Sequence, residues 1–163
     1  MPDDSKQQTR SRPRESVRPR FDFQAHLADL EAQGLLTRID RPINKDTELH
    51  PLVRWQFLGG IPEDQRRAFL FTHVVDSRGR RYDMPVAVGA LASSPQIYAI
   101  GMGKAVEDIG ATWINAIAHP IAPVAVTSPA CQEVIVKGAD LKRPGGGLAR
   151  LPVPISTRAR SGI

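Results

Sequence analysis

Only one cysteine, Cys131, occurs among the 163 residues, which excludes an internal disulfide and any CxxC zinc or redox motif. No apolar run approaches the roughly 20 residues needed to span a bilayer, and no secretory apolar segment is present, so a cytosolic, cytoplasmic location is expected. Aromatic residues make up 6% of the chain against 41% hydrophobic overall, which predicts an aliphatic core. The histidines His26, His50, His73 and His119 lie far apart. They lack the i, i+4 spacing that places two imidazoles on one helix face for zinc. There is no internal repeat, no P-loop frame and no complete dinucleotide fingerprint.

What the chain does carry is length enough for one domain with a modest core and a formal charge of +5. That charge is unevenly spread. Residues 1–20 carry +3 and residues 137–163 carry +5, whereas the body from 21 to 136 carries −3. The basicity therefore belongs to the ends, and a nucleic-acid or membrane partner is not expected. The segment 1–20 contains Pro13 and Pro19 and no apolar periodicity, and is read as a disordered basic tail because it has too little surface to bury. Arg10, Arg12, Arg14, Arg18 and Arg20 would suit a transit peptide, but Asp3, Asp4 and Glu15 oppose that reading.

Along the body, Phe23, Leu27 and Leu30 keep helical spacing between an N-cap at Asp22 and a stop at Gly34. A strand at Leu35–Ile39 follows. Leu49, Leu52, Val53, Gln56 and Phe57 define a second helical face, with Pro51 in its first turn and Gly59-Gly60 beyond. One strand is predicted over Ala68–Val75, a turn over Asp76–Arg80, and a strand over Pro85–Val88 able to pair with the first. Ser93-Ser94-Pro95 opens a helix ending at Gly101-Met102-Gly103, and a further helix is expected from Lys104 to Ala118. Its face is Val106, Ile109, Trp113, Ile114 and Ile117, with Glu107 and Asp108 in the first turn. Pro120–Pro129 reads as a linker, Cys131–Val136 as a strand, Gly138–Leu141 as a turn and Pro144–Gly147 as a loop.

The fold class that results is α/β (α+β). The division is a tail at 1–20, a helix-and-strand domain at 21–120, and a linker with the start of a second domain at 121–163. Candidate chemistry is sparse. Gly101-Met102-Gly103-Lys104 reads as a helix stop followed by a helix start rather than a phosphate cradle. Glu63 with Asp64 and Glu107 with Asp108 are sequence neighbours that do not face one another on a helix. Arg66-Arg67 and Arg78-Gly79-Arg80-Arg81 read as solvated charges, and Cys131 as a small buried hydrophobe.

The collinear set Leu35-Leu36-Thr37-Arg38-Ile39-Asp40-Arg41-Pro42-Ile43, Val88-Gly89-Ala90-Leu91-Ala92-Ser93-Ser94-Pro95, Pro129-Ala130-Cys131-Gln132-Glu133-Val134-Ile135-Val136, Asp140-Leu141 and Leu151-Pro152-Val153-Pro154-Ile155-Ser156-Thr157 resembles the N-terminal portion of the UbiD family of reversible decarboxylases. The resemblance runs over residues 21–157. It implies non-oxidative decarboxylation or carboxylation of aromatic or α,β-unsaturated acids with prenylated FMN, Mn²⁺ and a monovalent cation. The protein then supplies orientation and proton transfer while the flavin carries the difficult chemistry. In that family the metal ligands and the Glu-Arg-Glu set follow the Pro-x-Pro segment, so no catalytic, cofactor-binding or metal-binding residue maps onto this sequence. The resemblance implies that the small N-terminal helix-and-strand domain is followed, at 121–163, by the first strands of an incomplete split β-barrel, the start of a truncated flavin-binding-like domain, and Arg158–Ile163 does not resemble the family's continuation into that barrel. A truncated or frameshifted gene, or one piece of a split enzyme, is therefore expected, inactive alone and binding no cofactor alone. The expected partner is another copy of the chain or a separate catalytic chain. A non-catalytic assembly subunit and an unrelated basic-tailed binding module are the alternatives.

Overall fold

The computed structural model describes residues 22–155 except Ser128, Ala130, Cys131 and Gly145. The basic tail, Cys131 and Ser156–Ile163 lie outside the described residues. The elements run α1 (Phe23–Ala32), β1 (Leu36–Ile39), β2 (Ile43–Asn44), α2 (Leu49–Leu58), β3 (Ala68–Phe71), β4 (Val74–Val75), β5 (Arg81–Tyr82), β6 (Val86–Val88), α3 (Pro95–Met102) and α4 (Ile109–Ala118). This is the mixed α/β class expected.

Two three-stranded sheets form, ordered β1-β3-β6 and β2-β4-β5. In the first, β1 lies parallel and β6 antiparallel to the central β3. Alternation along β3 divides the core because successive side chains point to opposite faces. Ala68 and Leu70 join Leu27 and Leu30 of α1 and Ile97 of α3. Phe71 joins Leu49 and Val53 of α2 with Ile43 and Val74, and Phe69 stacks on Phe71 at 5.9 Å. The sheet is thus covered by α1 and α3 on one face and by α2 on the other.

The single strand predicted over Ala68–Val75 is two strands in two sheets, and the cause is a mismatch with its neighbour. Between the paired segments, Asp40, Arg41 and Pro42 on one side face only Thr72 and His73 on the other. Pro42 has no N–H to continue a ladder, and the extra residue is accommodated as in a bulge. Thr72 fastens the step: its N–H donates to the Ile39 carbonyl at 3.1 Å, and its hydroxyl donates to Asp40 Oδ1 at 2.7 Å. Pairing resumes where Ile43 N–H donates to the His73 carbonyl at 2.9 Å. The short β2 and β5 had no sequence signal beyond this pairing.

The apolar stripe of α2 includes Gln56, which is 3% exposed. Its amide donates to the Arg67 carbonyl at 2.9 Å and accepts from the Arg67 N–H at 3.0 Å. The side chain thereby imitates a strand neighbour just before β3 begins. Between β6 and α3, Gly89 at φ 73° turns the chain. Ser93 then closes back on the Gly89 carbonyl through its hydroxyl at 2.7 Å, and Ser94 caps α3 by accepting from Ile97 N–H.

Helix α3 stops within the expected Gly101-Met102-Gly103 segment, at Gly103 with φ 61°. Two further expectations are corrected. The helix expected from Lys104 starts only at Ile109, after a 3₁₀ turn at Val106–Asp108 that holds Glu107 and Asp108. Gln132–Val136 is not a strand, and no strand occurs among the described residues beyond α4. The first strands expected for a split barrel are instead irregular backbone with 3₁₀ turns at Gly138–Lys142 and Gly147–Arg150. Apolar β-branched residues such as Val134 and Ile135 fit a strand only when a neighbour supplies the ladder, and none among the described elements does. The Leu151–Ile155 segment docks beside β2: Pro152 is buried, and Ile155 N–H donates to the Lys45 carbonyl at 3.2 Å.

Replacing Gln56 by leucine keeps apolar bulk but strands the Arg67 N–H and carbonyl, and is expected to cost about 1–3 kcal/mol in urea denaturation. An unchanged midpoint would show that water replaces the side chain. Two glycines separate in the same assay. A Cβ at Gly101 would sit 3.5 Å from His26, an ordinary contact, so Gly101→Ala is expected to stabilise by about 0.5–1 kcal/mol. A Cβ at Gly89 would lie 3.0 Å from Ser93 Oγ at a left-handed φ, so Gly89→Ala is expected to destabilise by about 1–3 kcal/mol.

Candidate functional site

Most residues singled out in the sequence serve the fold. The Gly101-Met102-Gly103-Lys104 segment is a helix terminus: Gly103 N–H donates to the Ile100 carbonyl and Lys104 N–H to the Ala99 carbonyl, both at 3.1 Å. These bonds satisfy the last carbonyls of α3 in a Schellman arrangement. His26 Nε2–H donates to the Ala90 carbonyl at 2.6 Å, tying α1 to the turn before α3. His119 bonds the Asn115 carbonyl within its own helix end, and His73 contacts Thr72. Glu63 and Asp64 lie in a 3₁₀ turn, where Glu63 pairs with Arg66 at 4.0 Å. Arg66 also lies over the Phe57 ring at 5.1 Å. The structure brings no two of the sequence-nominated histidines or carboxylate pairs together into an acid–base set.

A polar cluster not nominated from the sequence joins the two turns of the β2-β4-β5 sheet. Lys45 Nζ meets Asp46 Oδ1 at 2.6 Å, with side chains only 13% and 16% exposed. Asp46 Oδ2 accepts from Ser77 N–H at 3.0 Å, and Asn44 Oδ1 accepts from Asp46 N–H at 2.9 Å. Asp76 Oδ1 accepts from the N–H groups of Arg78 and Arg80, both at 2.9 Å, and Oδ2 accepts from Tyr82 hydroxyl at 3.3 Å. The Lys45 ammonium and the Ser77 N–H hold the Asp46 carboxyl below its usual range. Backbone N–H donation, led by Arg80, does the same for Asp76. The Asn, Asp and Ser residues were the available signal, since such side chains bond nearby backbone in turns.

Two clefts stand out on the described surface. One, of about 890 Å³, lies between α1 and α3 and is lined by His26, Asp29, Gln96 and Lys104 among others; the buried Gln96 Oε1 has no protein partner there. The other, of about 720 Å³, lies between the Arg80–Pro85 segment and the 3₁₀ turns near Leu141 and Leu148. Among the described residues, no group of three or more His, Cys, Asp or Glu side chains is placed to hold a metal ion. No helix among them is long and apolar enough to cross a membrane.

The largest departure from an ordinary surface is apolar. Helix α4 buries none of its residues: Trp113 is 49% exposed, Ile114 73% and Ile117 74%. The Trp113 indole N–H donates to the Tyr98 hydroxyl at 2.7 Å. The exposed series continues through Ile121, Val124 and Val126 and resumes at Val134 and Ile135. Exposed apolar residues are thus concentrated in and after α4.

Asp46 and Asp76 have folded-state values below the unfolded aspartate value near about 4. Their stabilisation is therefore complete above that value and is lost as pH falls through the depressed folded values. Denaturation midpoints should drop below about pH 4, and Asp46→Asn should flatten that drop. Equal acid slopes in the variant and the parent protein would remove Asp46 from the account.

No family model matches the sequence. Two solved structures of the UbiD-class enzyme HmfF from Pelotomaculum thermopropionicum are similar to it. An evolved dimeric form in complex with prFMN aligns with a TM-score of 0.60 and 26% identity over 83% of this chain and 28% of its own. A structure in complex with FMN gives 0.58 and 26% over 83% and 27%. The chain therefore spans little more than a quarter of the length of these enzymes. With α1 and α3 on one face of its sheet, α2 on the other, and these alignments over most of its length, the protein has a UbiD-like fold.

Proposed function

We propose that this chain is the N-terminal portion of a UbiD-like non-oxidative decarboxylase or carboxylase acting on aromatic or α,β-unsaturated acids, and that it is inactive alone. The observation that carries this reading is the alignment of 83% of the chain with 28% of a UbiD-class enzyme in complex with prFMN. In this reading residues 21–120 form the N-terminal domain and residues 121–163 lead into a second one. The concentration of helices and strands before His119 supports that division.

Prenylated FMN would supply the electron sink for loss of the carboxylate, with Mn²⁺ and a monovalent cation beside it. The described residues do not fit the divalent ion, because they assemble no set of three acidic, histidine or cysteine donors of the kind such ions take. No reaction step is assigned to them. Their role is to support the remainder of the enzyme, and the apolar face of α4 with Ile121, Val124 and Val126 is the surface on which that remainder would pack. The same face favours a second reading, a non-catalytic subunit that docks on a separate catalytic chain.

Two measurements test the proposal. The DNA beyond the Ile163 codon, read in all three frames, should encode the remaining domain in phase, shifted or as a neighbouring gene; its absence from all of these would remove the decarboxylase reading. The purified 163-residue chain incubated with prFMN and a panel of aryl and α,β-unsaturated acids should retain no flavin and release no CO₂. Flavin-dependent CO₂ release would overturn the inactivity.

A further inference from the structure

The cleft of about 890 Å³ between α1 and α3 has an acidic balance and begins where the described chain begins. Along α1 its lining residues Asp22, His26, Asp29 and Gln33 recur at helical spacing, which places them on one face of the helix. The opposite wall carries Gln96 in the first turn of α3 and Lys104 just beyond its end, and Lys104 is the only lysine or arginine set against the carboxylates of Asp22 and Asp29. The end of α3 at Gly103 adds the negative pole of a helix dipole. Gln96 keeps a buried amide oxygen with no partner among the described residues, which leaves an acceptor for a donor from outside them. The His26 ring stands at the α3 wall: its Nε2–H donates to the Ala90 carbonyl at 2.6 Å, and a Cβ at Gly101 would lie 3.5 Å from it.

We propose that the segment Val17–Phe21, which immediately precedes the described residues, is the occupant of this cleft. The direction of entry follows from the cap. Asp22 is the N-cap of α1, and its carboxylate accepts from Ala25 N–H at 2.7 Å, so Phe21 holds the position before the cap and His26 the fourth helical position. An apolar residue before the cap commonly packs against that fourth residue and fixes the angle at which the chain meets the helix. Phe21 is thereby directed to the His26 ring, on the cleft face. Length agrees: the cleft runs beside α1 from Asp22 to Gln33, about 16 Å at the helical rise, and five extended residues span about 16–18 Å. Pro19 favours an extended course for itself and for Arg18. Charge agrees as well. The segment carries Arg18 and Arg20 and no acid, and a guanidinium group donates equally well to carboxylates and to the Gln96 oxygen. Because the segment is joined to the cleft through Asp22, its effective concentration is on the order of mM. Contacts too weak to hold a separate peptide are then enough to seat it. The proposal stands on the cleft and the cap and does not rest on the decarboxylase reading.

The test is ¹⁵N relaxation of the 163-residue chain. The amides of Val17, Arg18, Arg20 and Phe21 should show order parameters near the roughly 0.85 of rigid backbone. Two conditions should release the segment: the double variant Arg18→Glu, Arg20→Glu, and the parent protein at about 1 M salt, where the screening length is about 3 Å. In both, the order parameters of Val17 and Arg18 should fall below about 0.6, and the amides of Asp29, Gln33, Gln96 and Lys104 should shift. Phe21→Ala should loosen the segment and move the His26 amide. All the substituted residues precede α1, so the packed core is unaltered. Order parameters below about 0.6 in the parent protein would overturn the proposal. So would order that persists unchanged through charge reversal and salt, which would remove the arginines from the contact, and so would shifts that spare the α1–α3 cleft, which would seat the segment elsewhere. Order that is lost on dilution would assign the segment to the cleft of a second copy and overturn the intramolecular seat.

Discussion

The step at which Asp40, Arg41 and Pro42 face only Thr72 and His73 governs the architecture. On either side of it the same two stretches of chain run parallel, first as β1 with β3 and then as β2 with β4. The mismatch forces a break in the ladder and redirects the second half into its own small sheet. Thr72 makes the break tolerable by bonding both the Ile39 carbonyl and the Asp40 carboxylate. Phe71, immediately before the step, is fully buried between the sheet and α2. Gln56 secures the other end of β3 through the Arg67 backbone. Between these two fastenings β3 receives β1 on one edge and β6 on the other, and all the helices that bury apolar residues pack around it.

Local rules made much of this legible. Asp22 and Ser94 cap their helices as their side-chain chemistry predicts, and Pro51 sits where a missing N–H matters little. The pairing of β3 with β6 follows from two apolar runs joined by a turn-forming link. What was not legible depends on register. Whether Ala68–Val75 is one strand or two is decided by the count of residues on a partner some thirty positions earlier, as in the Thr72–Ile39 bond that spans 33 positions. Gln56 read as part of an apolar face because periodicity records burial and not the polar group that satisfies it. The run ending at Val136 has strand-like composition, but composition cannot supply a ladder partner.

The candidate site was legible only in outline. The glycines, histidines and paired carboxylates of the sequence turn out to be caps, tethers and turns. The polar cluster of Asn44, Lys45, Asp46, Asp76 and Ser77 arises because two turns distant in sequence meet beside β4. The family resemblance and the similarity to UbiD-class enzymes agree on the fold, and the exposed face of α4 is intelligible as a surface within a larger assembly of that kind.

The stepwise pairing also shapes the order in which the chain can organise itself. The β4–β5 hairpin is closed by a short turn, and its contacts are local. The β1–β3 and β2–β4 pairs instead require the ends of a loop containing all of α2 to meet, an entropically costly closure that rewards the chain only once it is made. Because both parallel pairs flank the same step, a single closure brings both into register. The two small sheets thus share one closure, and the entropy of bringing α2's flanking strands together is met once for both.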